Sequence, residues 1–203
     1  MYFINLSNFI NSKNNQKRYA IVCYLENEHF DKVRKIQNDI FNLTGSKKCL
    51  DSWTPHLTIG SGVLVNEDEQ ENFEKLFQEL ADKQDTFETE LSDFGGTENF
   101  KLDEKLTPYV LWINVVVNEK LQKLFNDVAE KITSKYETYW PRIINYNPHV
   151  TVAYGDLNFD GYKKGLEYLS ELKFSDTIKI SHIALVENFP DKDIEYKKFY
   201  FKY

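Results

Sequence analysis

Two short stretches of this sequence carry the same order of residues. Pro55-His56-Leu57-Thr58-Ile59 and Pro148-His149-Val150-Thr151-Val152 both read Pro-His-φ-Thr-φ, with φ apolar. Proline is only about 5% of average usage. Its recurrence, with threonine and two apolar positions, around two of the chain's four histidines is not accidental. In an extended strand, side chains alternate between faces. His and Thr at i and i+2 then share one face, while Leu57, Ile59, Val150 and Val152 point to the other, into a helix-covered core. The chain must fold so that two one-sided strands each keep an imidazole and a hydroxyl out of that core.

The surrounding pattern supplies such a framework twice. Residues 19–25 read as a strand, with Asn27 as the N-cap of a helix carrying Phe30, Val33, Ile36, Gln37 and Ile40, and Gly45 past its end. Residues 53–60 form the next strand. Asn66 is placed to cap a helix with Phe73, Leu76, Phe77 and Leu80, and residues 86–94 form a third strand closed by Gly95 and Gly96. After a polar connection over residues 97–107 the order repeats: a strand over 109–117, Asn118 capping a helix with Leu121, Leu124, Phe125, Val128 and Ile132, and a strand over 149–154. A helix over 159–170, a strand over 174–187 and an aromatic strand over 196–203 follow. Asn27-Glu28 precedes Asn118-Glu119 by 91 residues and His56 precedes His149 by 93, which points to two equivalent lobes.

Composition narrows the class. The chain has 203 residues and a net charge of −7, which argues against a broad basic face for long duplex nucleic acid. A small nucleotide or an RNA end in a locally positive cleft stays open. Aromatic residues make up 15% of the chain, enough to build a substantial core. Two cysteines, Cys23 and Cys49, do not make a disulfide framework. No apolar stretch has the length of a membrane span, and the asparagine-rich start does not read as a secretory signal. The expectation is a cytoplasmic protein without membrane contact. Nucleotide-loop signatures (GxxxxGK[ST], GxGxxG) are absent, and the histidines lack the neighbouring ligands of a metal site.

Two imidazoles and two hydroxyls converging on one volume suit in-line attack at phosphorus. A neutral imidazole takes a proton from the nucleophile, a protonated one gives a proton to the leaving oxygen, and the hydroxyls hold non-bridging oxygens. Histidine fits because its ordinary pKa of about 6.5 lets one copy be basic and the other acidic near neutrality. The expected geometry has the motif strands, one per lobe, facing each other across a cleft.

A paired His-φ-Thr-φ motif in two similar α/β halves resembles the 2H phosphoesterase superfamily. Within it the chain is similar to the 2′-5′ RNA ligase-like branch, which includes RNA 2′,3′-cyclic phosphodiesterases. The strand over 110–117, followed by a helix with Leu121 and Leu124, shares in the resemblance, which covers roughly residues 18–187. It implies an α+β, bilobal fold: one domain over 1–203, with lobes near 18–95 and 108–187, antiparallel sheets about a central cleft and helices outside. It implies His56 and His149 as catalytic residues, Thr58 and Thr151 as phosphate-binding residues, and no metal or other cofactor. The reaction implied is opening of a 2′,3′-cyclic phosphate on an RNA end or nucleotide by a monomer. Cleavage of 2′-5′-linked or cyclic oligonucleotides is the alternative activity, and a non-catalytic module binding phosphorylated ends is the alternative class.

Three further residues are candidates for substrate contact. Arg142, in the loop feeding the second motif, is placed to meet a phosphate, although a solvated loop charge accounts for it equally well. Trp53 and Tyr154 flank the motifs and could stack on a base. The number of aromatics to be buried favours a core role for both. His29 and His182 lie outside the motif and receive no role.

Overall fold

A computed structural model describes residues 15–100, 107–138, 147–189 and 193–203. Nine strands and five α-helices are described. In chain order they are β1 (Gln16–Tyr24), α1 (Asn27–Thr44), α2 (Lys48–Ser52), β2 (His56–Asn66), α3 (Gln70–Ala81), β3 (Phe87–Thr97), β4 (Val110–Val115), α4 (Glu119–Lys135), β5 (Glu137–Thr138), β6 (His149–Tyr154), α5 (Phe159–Glu171), β7 (Ser175–Ile180), β8 (His182–Asn188) and β9 (Asp193–Tyr200).

The strands form one sheet in the order β7-β3-β4-β6-β2-β1-β8-β9, with β5 paired to β2, and the ladders between them are antiparallel. The order is symmetric about its centre: each half has four strands, with a motif strand innermost. The motif strands β2 and β6 are hydrogen-bonded neighbours paired at Leu57 and Val150, not opposing walls of a cleft. The spatial halves are also not the consecutive halves of the chain. β3 crosses to pair with β4 and β7, and β8 returns to pair with β1.

Period-2 patterning gives every central strand a core side. Leu57, Ile59, Val150 and Val152 are 0–2% exposed and belong to one cluster with Ile21, Cys23, Ile113, Ile183 and Leu185. The apolar stripes of α1 (Val33, Ile36, Ile40), α3 (Phe73, Leu76, Phe77) and α4 (Leu121, Leu124, Phe125, Val128) close over that side, with Leu169 of α5. The reverse side of the sheet carries His56, Thr58, His149 and Thr151, each partly exposed.

The helix starts differ from one another. Asn118 caps α4 as its sequence position predicts, its side chain accepting from the Leu121 N–H at 2.9 Å. Asn27 instead has φ of +53° and is the first residue of α1, after an N-cap at Glu26 that makes no side-chain bond. An N-cap needs extended backbone for its side chain to reach back over the first turn. Asn66 precedes a 3₁₀ turn (Glu67–Glu69) without capping it, and its side chain accepts from Gln16 at 3.0 Å. The strand expected over 174–187 is two strands, turning at Ser181.

Candidate active site

The pairing of β2 with β6 sets the geometry of the candidate site. Counted one residue outward from the Leu57–Val150 pair, His56 lies level with Thr151, and Thr58 with His149. Residues opposite each other on antiparallel strands have Cβ atoms roughly 5 Å apart, and diagonal partners sit roughly 7–8 Å apart. His56 and His149 are diagonal partners on the same face, at a separation from which two imidazoles can flank one phosphate. The two copies of the motif thus interlock, each histidine beside the other copy's threonine.

Both rings are oriented in the same way. His56 Nδ1 lies 2.7 Å from the Thr54 carbonyl and His149 Nδ1 lies 3.0 Å from the Asn147 carbonyl, in each case two residues back along the chain. A carbonyl only accepts, so each Nδ1 carries the proton and donates it. Each Nε2 is then the nitrogen left for chemistry, an acceptor in the neutral ring and a donor in the charged one.

Burial holds both imidazoles below the ordinary histidine value. For His56 lost hydration is the main cause; the Thr54 carbonyl and Asp193 oppose it, and the proximity of His149 adds to it. For His149 burial is opposed by the Asn147 carbonyl. Without ligand, both rings therefore favour the neutral state at pH 7.

Aromatic side chains supply that burial. Trp53 meets His56 edge-on at 5.7 Å between ring centres, Tyr24 does so at 6.3 Å, and Trp112 packs against His149 at 5.2 Å. Trp53 is partly exposed and stacks at 5.1 Å and 19° on Tyr154, which is only 4% exposed. Tyr154 also packs against Phe100 and Lys48, so it forms the support beneath Trp53. Arg142 lies outside the described residues.

The loop that delivers His56 is fixed from both sides. Arg34 donates to the carbonyls of Cys49, Leu50 and Trp53 at 3.2, 3.3 and 3.0 Å. Asp156, just beyond β6, accepts from the Ser46 hydroxyl at 2.6 Å and from the Lys47 and Lys48 N–H groups at 2.8 and 3.0 Å. The approach to the first motif is thereby tied to the exit of the second.

A family model described as the 2′-5′ RNA ligase superfamily matches residues 62–189, well over half of the chain. The chain belongs to the 2′-5′ RNA ligase superfamily. The matched span holds the second motif and the strands around it, and it begins just after the first. No curated protein matches the chain in sequence. Solved structures similar to this superfamily member include TT0787 of Thermus thermophilus, with TM-score 0.64 and 17% identity over 91% of this chain and 98% of that one. LigT of E. coli in complex with 3′-AMP is similar with TM-score 0.63 and 13% identity, over 93% of this chain and 99% of that one. A protein described as a phosphoesterase has TM-score 0.57 and 14% identity, over 92% and 99%. These likenesses are of fold, and they agree with the bilobal α+β architecture that the resemblance implies.

The candidate site of this superfamily member includes neighbours that carry no signal in the sequence. Tyr24, Trp112 and Asn114 flank the motif strands only through sheet register: Tyr24 is opposite His56, Asn114 opposite His149 and Trp112 opposite Thr151. Their period-2 placement beside buried Cys23, Ile113 and Val115 shows that they leave the core, but not which strand they face. Arg34 sat on the solvent side of the helical pattern and gave no signal. Among the described residues no helix is long and apolar enough to cross a membrane.

Proposed function

We propose that the protein is a phosphodiesterase that opens 2′,3′-cyclic phosphates on RNA ends or nucleotides, using His56 and His149 as general acid and base. The supporting observation is the interlocked register of the two motifs, with both Nδ1 atoms committed to carbonyls and both Nε2 atoms free of that role. That LigT was crystallised with 3′-AMP supports a nucleotide ligand for this fold.

In the proposed reaction, the cyclic phosphate sits between the imidazoles with its non-bridging oxygens on Thr58 and Thr151. Water attacks phosphorus and loses a proton to the Nε2 of one neutral imidazole. The P–O3′ bond breaks, and the 3′ oxygen takes a proton from the Nε2 of the other, charged imidazole, leaving a 2′-monophosphate. Both rings are neutral in the free protein, so the acid gains its proton as the anionic substrate enters and raises its pKa. Water at about 55 M favours hydrolysis over ligation unless a 5′-hydroxyl end is held in place. In this reading Trp53, partly exposed beside His56, stacks on the base. The chemistry asks for no metal.

The test is incubation of purified protein with 2′,3′-cyclic nucleotides, 2′-5′ and 3′-5′ dinucleotides and cyclic oligonucleotides, with products resolved by mass spectrometry and phosphorus NMR. The expected result is a nucleoside 2′-monophosphate from the 2′,3′-cyclic nucleotides. Turnover confined to dinucleotides or cyclic oligonucleotides would overturn the substrate assignment. Binding without turnover of any of them would overturn the enzymatic reading.

A further inference from the structure

The two halves of the site are not chemically alike. At the position opposite its histidine, one half has Tyr24 and the other has Asn114. Thr58, His149 and Asn114 form one rung across β2, β6 and β4, all on the face opposite the helices. The Asn114 amide is held in one orientation. Its Oδ1 accepts from the Trp112 indole N–H at 2.8 Å, and because an indole nitrogen only donates, the oxygen must be the atom on that side. Nδ2 is therefore the end turned away from the indole, and no described residue accepts from it.

The indole is itself seated. It lies over Gly95 on β3 so closely that a Cβ there would come within 2.5 Å of Nε1, a contact no real side chain makes. Gly95 pairs with Trp112 just beyond the bulge at Asp93, which shifts the β3–β4 register. Gly95, Trp112 and Asn114 thus form a chain of contacts that ends in an oriented amide donor level with His149.

We propose that Asn114 is a substrate-binding residue, donating from Nδ2 to a non-bridging phosphoryl oxygen held between His56 and His149, with Trp112 as the positioning residue that orients its amide. The inference rests on the proposed site between the two histidines, and it adds a donor to one half-site only. A pre-oriented donor aimed at phosphoryl charge acts most strongly as that charge develops, so its effect belongs mainly in kcat.

The test compares wild type with Asn114→Ala, Asn114→Asp, Trp112→Phe and the Trp112→Phe/Asn114→Ala double variant. It reads kcat and KM on a 2′,3′-cyclic nucleotide and the affinity for a nucleoside 2′-monophosphate by calorimetry, with thermal melts to confirm folding. Asn114→Ala should lower kcat by about 10²–10³-fold. Asn114→Asp keeps the size but sets a carboxylate against phosphate, and should lose at least as much. Trp112→Phe keeps a ring against His149 and removes only the indole N–H to Asn114, so it should lose part of this, and the double variant should be no worse than Asn114→Ala. Monophosphate affinity should fall in each Asn114 variant. Turnover and affinity of Asn114→Ala within about twofold of wild type would overturn the inference while leaving the proposed reaction intact. A rise in KM with unchanged kcat would place the amide on the ribose or base, and would overturn the phosphoryl contact. If wild type turns over no cyclic nucleotide yet binds the monophosphate in an Asn114-dependent way, the reaction fails and the contact stands.

Discussion

At the scale of single residues, the site depends on what each side chain can donate or accept. In the proposed reaction the threonines offer one hydroxyl hydrogen bond each, whereas the histidines offer a proton that must move. Thr58→Val and Thr151→Val should therefore each lower kcat/KM by the worth of one hydrogen bond to a charged group, about 1.5–3 kcal/mol, less than either histidine substitution costs. Steady-state kinetics on a 2′,3′-cyclic nucleotide checks the order, and a threonine variant as damaged as a histidine variant contradicts it. The four motif residues were legible in the sequence because Pro-His-φ-Thr-φ fixes face and spacing locally. The sharing of a rung by His56 with Thr151, and of another by His149 with Thr58, was not. That arrangement depends on a β2–β6 register between residues 93 positions apart in the sequence. Tyr24 and Asn114 escaped for the same reason, and Tyr154 was visible as an aromatic neighbour but not as the buried support of Trp53.

At the scale of elements, short-range patterning was readable and the clamps between elements were not. The stripes of α1, α3 and α4 follow from helical spacing, and the Asn118 cap from its position. The five-residue helix α2 carries no such periodicity and exists because Arg34 and Asp156 hold the segments around it. Arg34 spreads its guanidinium over three carbonyls, a fork that a lysine ammonium cannot reproduce. Arg34→Gln should destabilise the fold by about 1–3 kcal/mol through the unpaired carbonyls, and should lower kcat/KM by loosening Trp53 beside His56. Arg34→Lys should recover little of either. Urea unfolding and kinetics on the same preparations test this; full recovery by lysine would show that the charge rather than the fork matters.

At the scale of the whole molecule, the sheet is symmetric about its centre while the chain exchanges strands between its halves. The consecutive order suggested two lobes split near residue 100, but β3 completes the half built around β6, and β8 and β9 complete the half built around β2. Strand crossing of this kind leaves no local mark in a sequence. Acid sensitivity is also a property of the whole fold. His56, His149 and the fully buried His182 are all held below the ordinary value, chiefly by burial. An unfolded imidazole gains its proton near pH 6.5, whereas the folded ones resist until lower pH. The unfolded chain then binds more protons, and stability is lost as pH falls from about 6.5 toward the folded values. Carboxylates held low by their partners, Asp39 by Lys35 and Glu74 by Lys197, add their loss only at still lower pH. Melting temperatures should decline between pH 7 and 5, and His182→Gln should flatten that decline. An unchanged slope in the variant would remove His182 from the account. Turnover in excess EDTA should match turnover without it, and a loss restored by Zn²⁺ would make the histidines metal ligands instead.

The central claim is that His56 and His149 divide acid and base work within one turnover. Its most direct measurement is the pH dependence of 2′,3′-cyclic nucleotide hydrolysis by wild type, His56→Ala, His149→Ala and the double variant. With one ring charged and one neutral in the active form, and both held below 6.5 in the free protein, kcat/KM should trace a bell with its maximum on the acid side of about 6.5. Each limb belongs to the pair rather than to one ring. Each single variant should lose at least about 10²–10⁴-fold in kcat. The double variant should lose far less than the product of the two, because the residues act as a unit. A folded His56→Ala or His149→Ala protein with near-normal turnover, or a rate that rises monotonically with pH, would contradict the paired mechanism.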